Sequence, residues 1–285
     1  MAREKALSIL SDKDKDDLQE IQGGMIQNLQ KVALSQNYKN KNYSGDINAG
    51  SVEFSRFANA TSKKYGTARN GGKGDPLNNK GKVTVNLNTN EEIVEEANKF
   101  DVDKRGIPGL FKERSGNHTL SMLRVLDRAF FNEAETAGKA VTLKEKTIEG
   151  QVEELIQTLE KLENDFVDGV ERDQMVLFLN PGLYGKLRNY IDKTQNAVVD
   201  GGVEEINSFH GVEVRSNTRQ KKDAIVMVKG AIAQPVSVDD YDLEKIPLSN
   251  DYAMELFYKY GTKALTPDLI FVATVAEETA STTGK

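Results

Sequence analysis

The sequence predicts a mixed α+β protein with a central sheet, two long helices and a ribbon extending from the body. Three observations carry that prediction. Apolar residues recur at spacings of three and four in two long stretches, 120–137 and 148–166, the period of a helix with one buried face. Short apolar runs fill the second half, the densest being Met175–Leu179, a strand-sized segment suited to burial on both faces. Residues 52–87 read as two short strands, with Val52, Phe54 and Phe57 on one and Val83, Val85 and Leu87 alternating on the other. Ser62–Lys82 between them is rich in Gly, Asn and Lys, with almost nothing apolar. A loop of that length is uncommon inside a compact domain, and an isolated two-stranded ribbon is at best marginally stable.

At the N-terminal end, Asp12–Asp17 precedes Leu18, Ile21, Met25, Leu29 and Val32, which share one helical face. Acids at a helix N-terminus are favourably placed, and Gly23-Gly24 predicts a bend or break in the middle. Gln36–Gly50 holds five Asn or Gln and few aliphatic residues and is expected to be extended. Beyond the ribbon, Glu91–Phe100 reads as a short acidic helix and Gly106-Ile107-Pro108-Gly109 as a hinge. Ser115 or Asn117 would cap the first long helix, carrying Leu120, Leu123, Leu126, Phe130, Ala134 and Ala137. The second would run from Ile148 through Val152, Leu155, Leu159 and Leu162 to Phe166, with an acidic opposite face. Asn180-Pro181 then starts a helix through Leu183, Leu187 and Ile191, Asn serving as N-cap and Pro in the first turn. Gln195–Gly202 is a loop. Gly211–Val214, Ala224–Val228, Val236–Val238, Ala253–Tyr260 and Leu269–Val275 supply further strands, and 276–285 is a polar, disordered tail.

Composition removes several classes of function. The 285 residues include no Cys, no Trp and two His, and the formal charge is −6. Without cysteine there is no disulfide framework, thiolate metal site or Cys nucleophile, which suits a reducing compartment. No apolar run spans a bilayer and no signal-peptide core opens the chain, so no membrane partner is expected. Only 38% of residues are hydrophobic, which fits a modest core with solvent-facing extensions. Charge is unevenly spread. Residues 36–90 hold nine Lys/Arg against three Asp/Glu, a net of +6, so the rest carries −12. Residues 148–173 hold nine acids and two bases. A basic extension beside an acidic body favours contact between copies of one chain, although both are also ordinary solvated surfaces.

Catalytic patterns are absent. No G-x-S-x-G elbow occurs, and His210, in Ser208-Phe209-His210-Gly211, reads as a surface turn. Glycines 66, 71, 72 and 74 fail the phosphate-loop pattern, since Gly72 stands where Lys is needed. Asp12, Asp14 and Asp16 fail the calcium-loop pattern, with Asp17 and Gly23 in place of the required Gly and Glu. No catalytic, metal or cofactor residue is assigned and no cofactor is expected. The ribbon's lysines also resemble a basic arm entering a DNA groove, but such domains are basic as a whole, and this chain has a pI near 5.3.

The order of elements carries a resemblance. Met175-Val176-Leu177-Phe178-Leu179-Asn180-Pro181 runs a buried strand into a capped helix; Gly211-Val212-Glu213-Val214-Arg215-Ser216-Asn217, Ala224–Lys229 with Gly230-Ala231-Ile232-Ala233, and Lys259-Tyr260-Gly261-Thr262-Lys263 before Pro267-Asp268-Leu269-Ile270 follow. Together with the preceding arm, ribbon and long helix, this resembles the major capsid protein of tailed bacteriophages, the Hong Kong 97-type coat fold, also used by encapsulin nanocompartments. The resemblance implies an N-terminal arm at 1–50, an extended loop at 51–105, and a spine helix with the first part of a peripheral domain at 106–172. An axial domain follows at 173–234 and a peripheral return with closing strands at 235–275. It implies a virion protein, assembled in the bacterial cytoplasm, whose copies form hexamers and pentamers. Scaffolding and portal proteins would be its partners, and it would enclose double-stranded DNA without sequence-specific binding. A Lys–Asn cross-link of the kind some relatives form would draw on ribbon lysines and Asn250. An encapsulin-type shell is the alternative, and a DNA-binding ribbon protein the next. On the shell reading the expected intersubunit residues are Lys63, Lys64, Tyr65, Arg69 and Lys73 of the ribbon and Leu18, Ile21 and Leu29 of the arm. Glu153, Glu160 and Glu163 of the acidic stretch would receive the ribbon.

Overall fold

The structure is a computed structural model and describes residues 24, 25, 27, 33–44, 47, 50–60, 62–65, 81–194 and 207–275. The expected helix start at Asp12–Asp17, its apolar residues Leu18, Ile21, Leu29 and Val32, the loop Gln195–Gly202 and the tail 276–285 lie outside the described residues.

The helices whose bounds fall within the described residues are α1 (Leu34–Tyr38), α2 (Lys99–Arg105), α3 (Ile107–Ala137), α4 (Ile148–Glu160) and α5 (Pro181–Thr194). A six-stranded sheet has the order β4-β15-β10-β7-β9-β8, from Lys139–Val141, Ile270–Ala273, Ala224–Val228, Met175–Leu179, Val212–Ser216 and Ser208–Phe209. Its centre matches the expectation that Met175–Leu179 is buried on both sides. Val152, Leu155 and Leu159 of α4 and Leu183 and Leu187 of α5 cover one face through Leu177 and Val226. Phe130, Phe131 and Ala134 of α3 cover the other through Val176, Phe178 and Ile225. A three-stranded antiparallel sheet, β12-β13-β3 (Val236–Lys245, Tyr252–Tyr260, Thr89–Ala97), packs on the N-terminal half of α3 through Phe111, Met122, Leu126, Leu243 and Leu256. At 31 residues, α3 is about 46 Å long at 1.5 Å per residue and joins both cores. The remaining pairs are β1-β2 (Ser51–Arg56, Gly81–Asn86), β5-β6 (Glu163–Asn164, Val167–Asp168) and β11-β14 (Ile232–Ala233, Lys263–Ala264).

Four elements differ from the sequence expectation. Glu91–Phe100 is mostly strand: β3 pairs along its full length with β13, from Thr89↔Tyr260 to Ala97↔Tyr252, and cross-strand pairing overrides the weak helical pattern of a Glu-rich segment. α3 starts at Ile107, eight residues before Ser115, because Gly106 at φ 70° ends α2 and Pro108 fits the first turn. α4 stops at Glu160, so Leu162 and Phe166 leave the stripe. There Asn164 Oδ1 accepts from the main-chain N–H of Phe166 and Val167 at 2.8 and 3.0 Å, a turn that folds the β5–β6 hairpin. Finally, Gln36–Gly50 is not wholly extended. Residues 34–38 form α1, with Gln36 and Tyr38 buried.

Candidate functional site

The ribbon, β1 and β2, starts from a fixed base. Val52, Phe54 and Val85 pack on Ala233 and Leu265. Arg56 grips Asp268 with both nitrogens, at 2.6 and 2.9 Å, a bidentate fork that fixes direction as well as distance. Its guanidinium also lies 3.9 Å over the Phe166 ring. Asn164 Nδ2 donates to the same Asp268 at 2.8 Å, and Asn59 N–H donates to Asp165 O at 3.0 Å. The hairpin that carries Glu163, one of the acids expected to meet a neighbour's ribbon, therefore packs on this chain's own ribbon through Asn164, the Asp165 main chain and Phe166. Farther out, Lys63, Lys64 and Tyr65 are exposed, Tyr65 fully so, and Phe57 is half exposed. Arg69 and Lys73 lie outside the described residues.

The three acids expected to receive the ribbon are only partly available. Arg172 Nη2 donates to Glu153 at 2.6 Å and to Glu160 at 2.8 Å, and His210 Nδ1 lies 2.8 Å from Glu153. Hydrogen bonds from Arg172 hold the Glu153 carboxyl at about 2, against an ordinary value of 4.5, despite some burial. Glu163, on β5, is exposed. A group with a lowered folded pKa stabilises the fold above its unfolded value and loses that stabilisation as pH falls through the folded one. The Arg172→Met variant should lose about 2 kcal/mol at neutral pH and show a shallower decline in melting temperature between pH 4.5 and 2. Parallel melting curves for variant and wild type across that window would refute this origin of acid sensitivity.

A second acidic surface went unread in the sequence. The outer face of the three-stranded sheet presents Glu92, Val94 and Glu96 from β3, Glu255, Phe257 and Lys259 from β13, and Asp242 and Glu244 from β12, set side by side by the register. Lys259, the face's lysine, is paired with Asp239 at 3.0 Å. Glu92, Glu96 and Glu244 are exposed, and Val94 is half exposed between them. The signal was alternation along 89–97, masked by the density of Glu. On the inner face, Glu95 accepts from Arg114 Nε at 2.7 Å and meets His118 Nε2 at 3.0 Å, while His118 Nδ1 meets Tyr241 Oη at 2.9 Å. Arg114 chiefly holds the Glu95 carboxyl at about 2. His118 is thus a fully buried strut between α3 and the sheet. His210, at φ 47°, is the surface turn expected. Among the described residues no cluster of three or more His, Asp or Glu is placed to hold a metal ion, and no helix is long and apolar enough to cross a membrane.

No protein-family model matches the sequence, and no curated protein sequence is similar to it. Solved structures are similar in fold. A chain of Mycobacterium phage Che8 superposes with a TM-score of 0.63 at 16% identity, covering 85% of this chain and 90% of that one. A chain from the capsid of cyanophage P-SCSP1u gives 0.62 at 12% identity, covering 86% and 88%. A chain of the virus-like particle from Pyrococcus furiosus gives 0.56 at 12% identity, covering 90% and 98%. The fold is the Hong Kong 97-type coat fold found in phage capsids.

Proposed function

We propose that this chain is the repeating subunit of an icosahedral phage head, its copies forming hexamers and pentamers around double-stranded DNA with the help of scaffolding and portal proteins. One observation carries the reading beyond fold likeness: a ribbon is locked to the body at its base, yet its continuation has exposed Lys63, Lys64 and Tyr65 and too little apolar sequence with which to build a core. On this reading a neighbouring subunit completes it. The outer sheet face with Glu92, Glu96 and Glu244 receives the ribbon lysines, replacing the helix acids that Arg172 already engages. Leu18, Ile21 and Leu29 of the arm bury on a neighbour, and the boundaries follow the arm (1–50), loop (51–105), peripheral (106–172 and 235–275) and axial (173–234) scheme. Each exposed ion pair contributes at most about 1 kcal/mol, so repetition over the shell and apolar burial supply the rest.

Negative-stain microscopy of the purified protein, alone and with its scaffold, should show closed particles. A strictly monomeric species under both conditions would overturn the proposal. Charge reversal by K63E, K64E and K73E should abolish particles at low salt, and adding E92K and E96K should restore them in part. Unchanged assembly by the triple variant would remove the ribbon from the interface. Particles recovered from infected cells should contain DNA; protein cargo without DNA would identify a nanocompartment instead.

A further inference from the structure

Between α3 and the loop after β9 lies an open cleft of about 480 Å³. Arg128 and Asn132 of α3 line one wall, Arg219 and Lys221 of the loop line the other, and Val125 and Ala129 contribute apolar floor. Among the described residues, none of the three cations forms an ion pair within 4 Å; the buried Asp127 carboxylate lies within electrostatic reach of Arg219 and is itself held by the Ser35 main-chain N–H at 2.9 Å. The one acid of the lining, Glu135, spends an oxygen on the main-chain N–H groups of Lys221 and Lys222, at 2.5 and 2.9 Å. That pins the loop beside the helix without neutralising its side chains.

Arg219 is the most informative member. Its Nη1 donates to Thr218 Oγ1 at 2.8 Å, but its Nε is buried without a hydrogen-bond partner. Most buried polar groups are satisfied, and one that is not calls for a specific explanation. That Nε is sealed from solvent, so a ligand in the cleft would meet Arg219 through its outer guanidinium nitrogens, beside the Arg128 guanidinium and the Lys221 ammonium. Arginine's planar fork fits phosphate oxygens in pairs.

The surroundings select the kind of anion. Arg124 lies one turn before Arg128 on the same exposed stripe of α3, and Lys222 is exposed beside Lys221. Four residues advance a helix about 6 Å, so the cations form a row rather than a single socket. A row of Arg and Lys follows a chain of phosphates and is indifferent to base sequence. We propose that this cleft binds the sugar-phosphate backbone of double-stranded DNA, with Arg128 and Arg219 as its forks. Within the shell reading, on which this part of the inference rests, the face of α3 bearing Arg124 and Arg128 then looks inward. The phosphate site itself stands without that reading.

The test is fluorescence anisotropy of a short labelled DNA duplex with the full-length protein, over a salt series between about 50 and 200 mM. The wild type should bind with the same affinity for unrelated sequences. R128Q with R219Q should weaken binding uniformly and lower the slope of log affinity against log salt by about two. R128Q alone, a change at an exposed position that cannot unfold the chain, should lower it by about one. K63Q with K64Q on the ribbon should leave the slope unchanged. A wild type that does not bind, or equal slopes for wild type and cleft variants, would overturn the proposal. So would loss of slope in the ribbon variant alone, which would mark a DNA-binding arm. Cleft variants that bind the duplex normally but fail to assemble would overturn it too, assigning the cleft to a neighbour's carboxylate. Negative-stain images of the same preparations keep the two readings apart. Duplex binding through the cleft without particles removes the shell and leaves the site; particles without duplex binding do the reverse.

Discussion

Changing Gln234 to leucine should lower the unfolding free energy by about 3 kcal/mol and open residues 33–40 to protease. Gln234 is fully buried where three parts of the chain meet. Its Nε2 donates to Leu126 O on α3 at 2.9 Å and to Thr262 Oγ1 at 3.0 Å, and its Oε1 accepts from Gln36 Nε2 on α1 at 2.8 Å. Its main-chain oxygen accepts from Lys39 Nζ at 2.9 Å. Leucine fills similar space but leaves the buried Gln36 amide without its strong acceptor and Thr262 without a donor. Each orphaned buried group costs about 1–3 kcal/mol. Because the penalty comes from the partner left behind, adding Gln36→Leu should recover part of the loss. Denaturant midpoints at constant m-value measure both variants. A double variant less stable than the sum of the two single changes would rule out this coupling.

That junction also marks what the sequence could and could not reveal. Met175–Leu179, Asn180-Pro181 and Ala224–Val228 were legible because each is local: a continuous apolar run, a capping pair and a second run of β-branched and aliphatic residues. The observed strands and helix agree with them, down to Asn180 Oδ1 accepting from Leu183 N–H at 2.7 Å. The base of the ribbon was legible for the same reason, as period-2 alternation. Gln234, Gln36 and Arg172 were not, because a polar residue becomes structural only through partners far along the chain. Gln36 and Gln234 are 198 residues apart. The stripe from Ile148 to Phe166 shows the opposite failure. Its period persists past Glu160, yet Asn164 offers the backbone a turn, and Phe166 goes instead under Arg56. For the proposed interface, the charge asymmetry was legible but the acids proposed to receive the ribbon were not. The acids nearest in composition were spent on Arg172, while those on the outer sheet face were hidden in a segment read as helix.

Replacing Gly261 with alanine should leave the body folded and misdirect the ribbon. Gly261 follows β13 and donates its N–H to Pro235 O at 3.2 Å. A Cβ there would overlap the carbonyl oxygen of Asn86, lie 2.8 Å from its carbonyl carbon and 3.3 Å from Val85 Cγ1. The obstacle is main chain, so no rotamer relieves it. Asn86 is the last residue of β2 and pairs with Ser51 at the foot of the ribbon, so the foot must move. Overpacking of this kind costs about 1–3 kcal/mol, a fall of a few degrees in melting temperature for a chain of this size. The geometric effect is larger. The strands run about 20 Å from that foot, so a shift at the base swings the exposed lysines away from any fixed receiver. Losing even 1.4 kcal/mol per contact weakens each about tenfold, and a shell repeats the loss at every subunit. Particle yield should therefore collapse while the melting temperature drops only modestly, with faster amide exchange in β1 and β2. Gly185→Ala is the control. This glycine lies within α5, where a Cβ would meet nothing within 4 Å, so alanine should add roughly 0.5–1 kcal/mol and leave particle yield unchanged. Wild-type exchange in β1 and β2 together with wild-type yield in Gly261→Ala would show that the foot tolerates the methyl, and that the ribbon is not aimed from this contact.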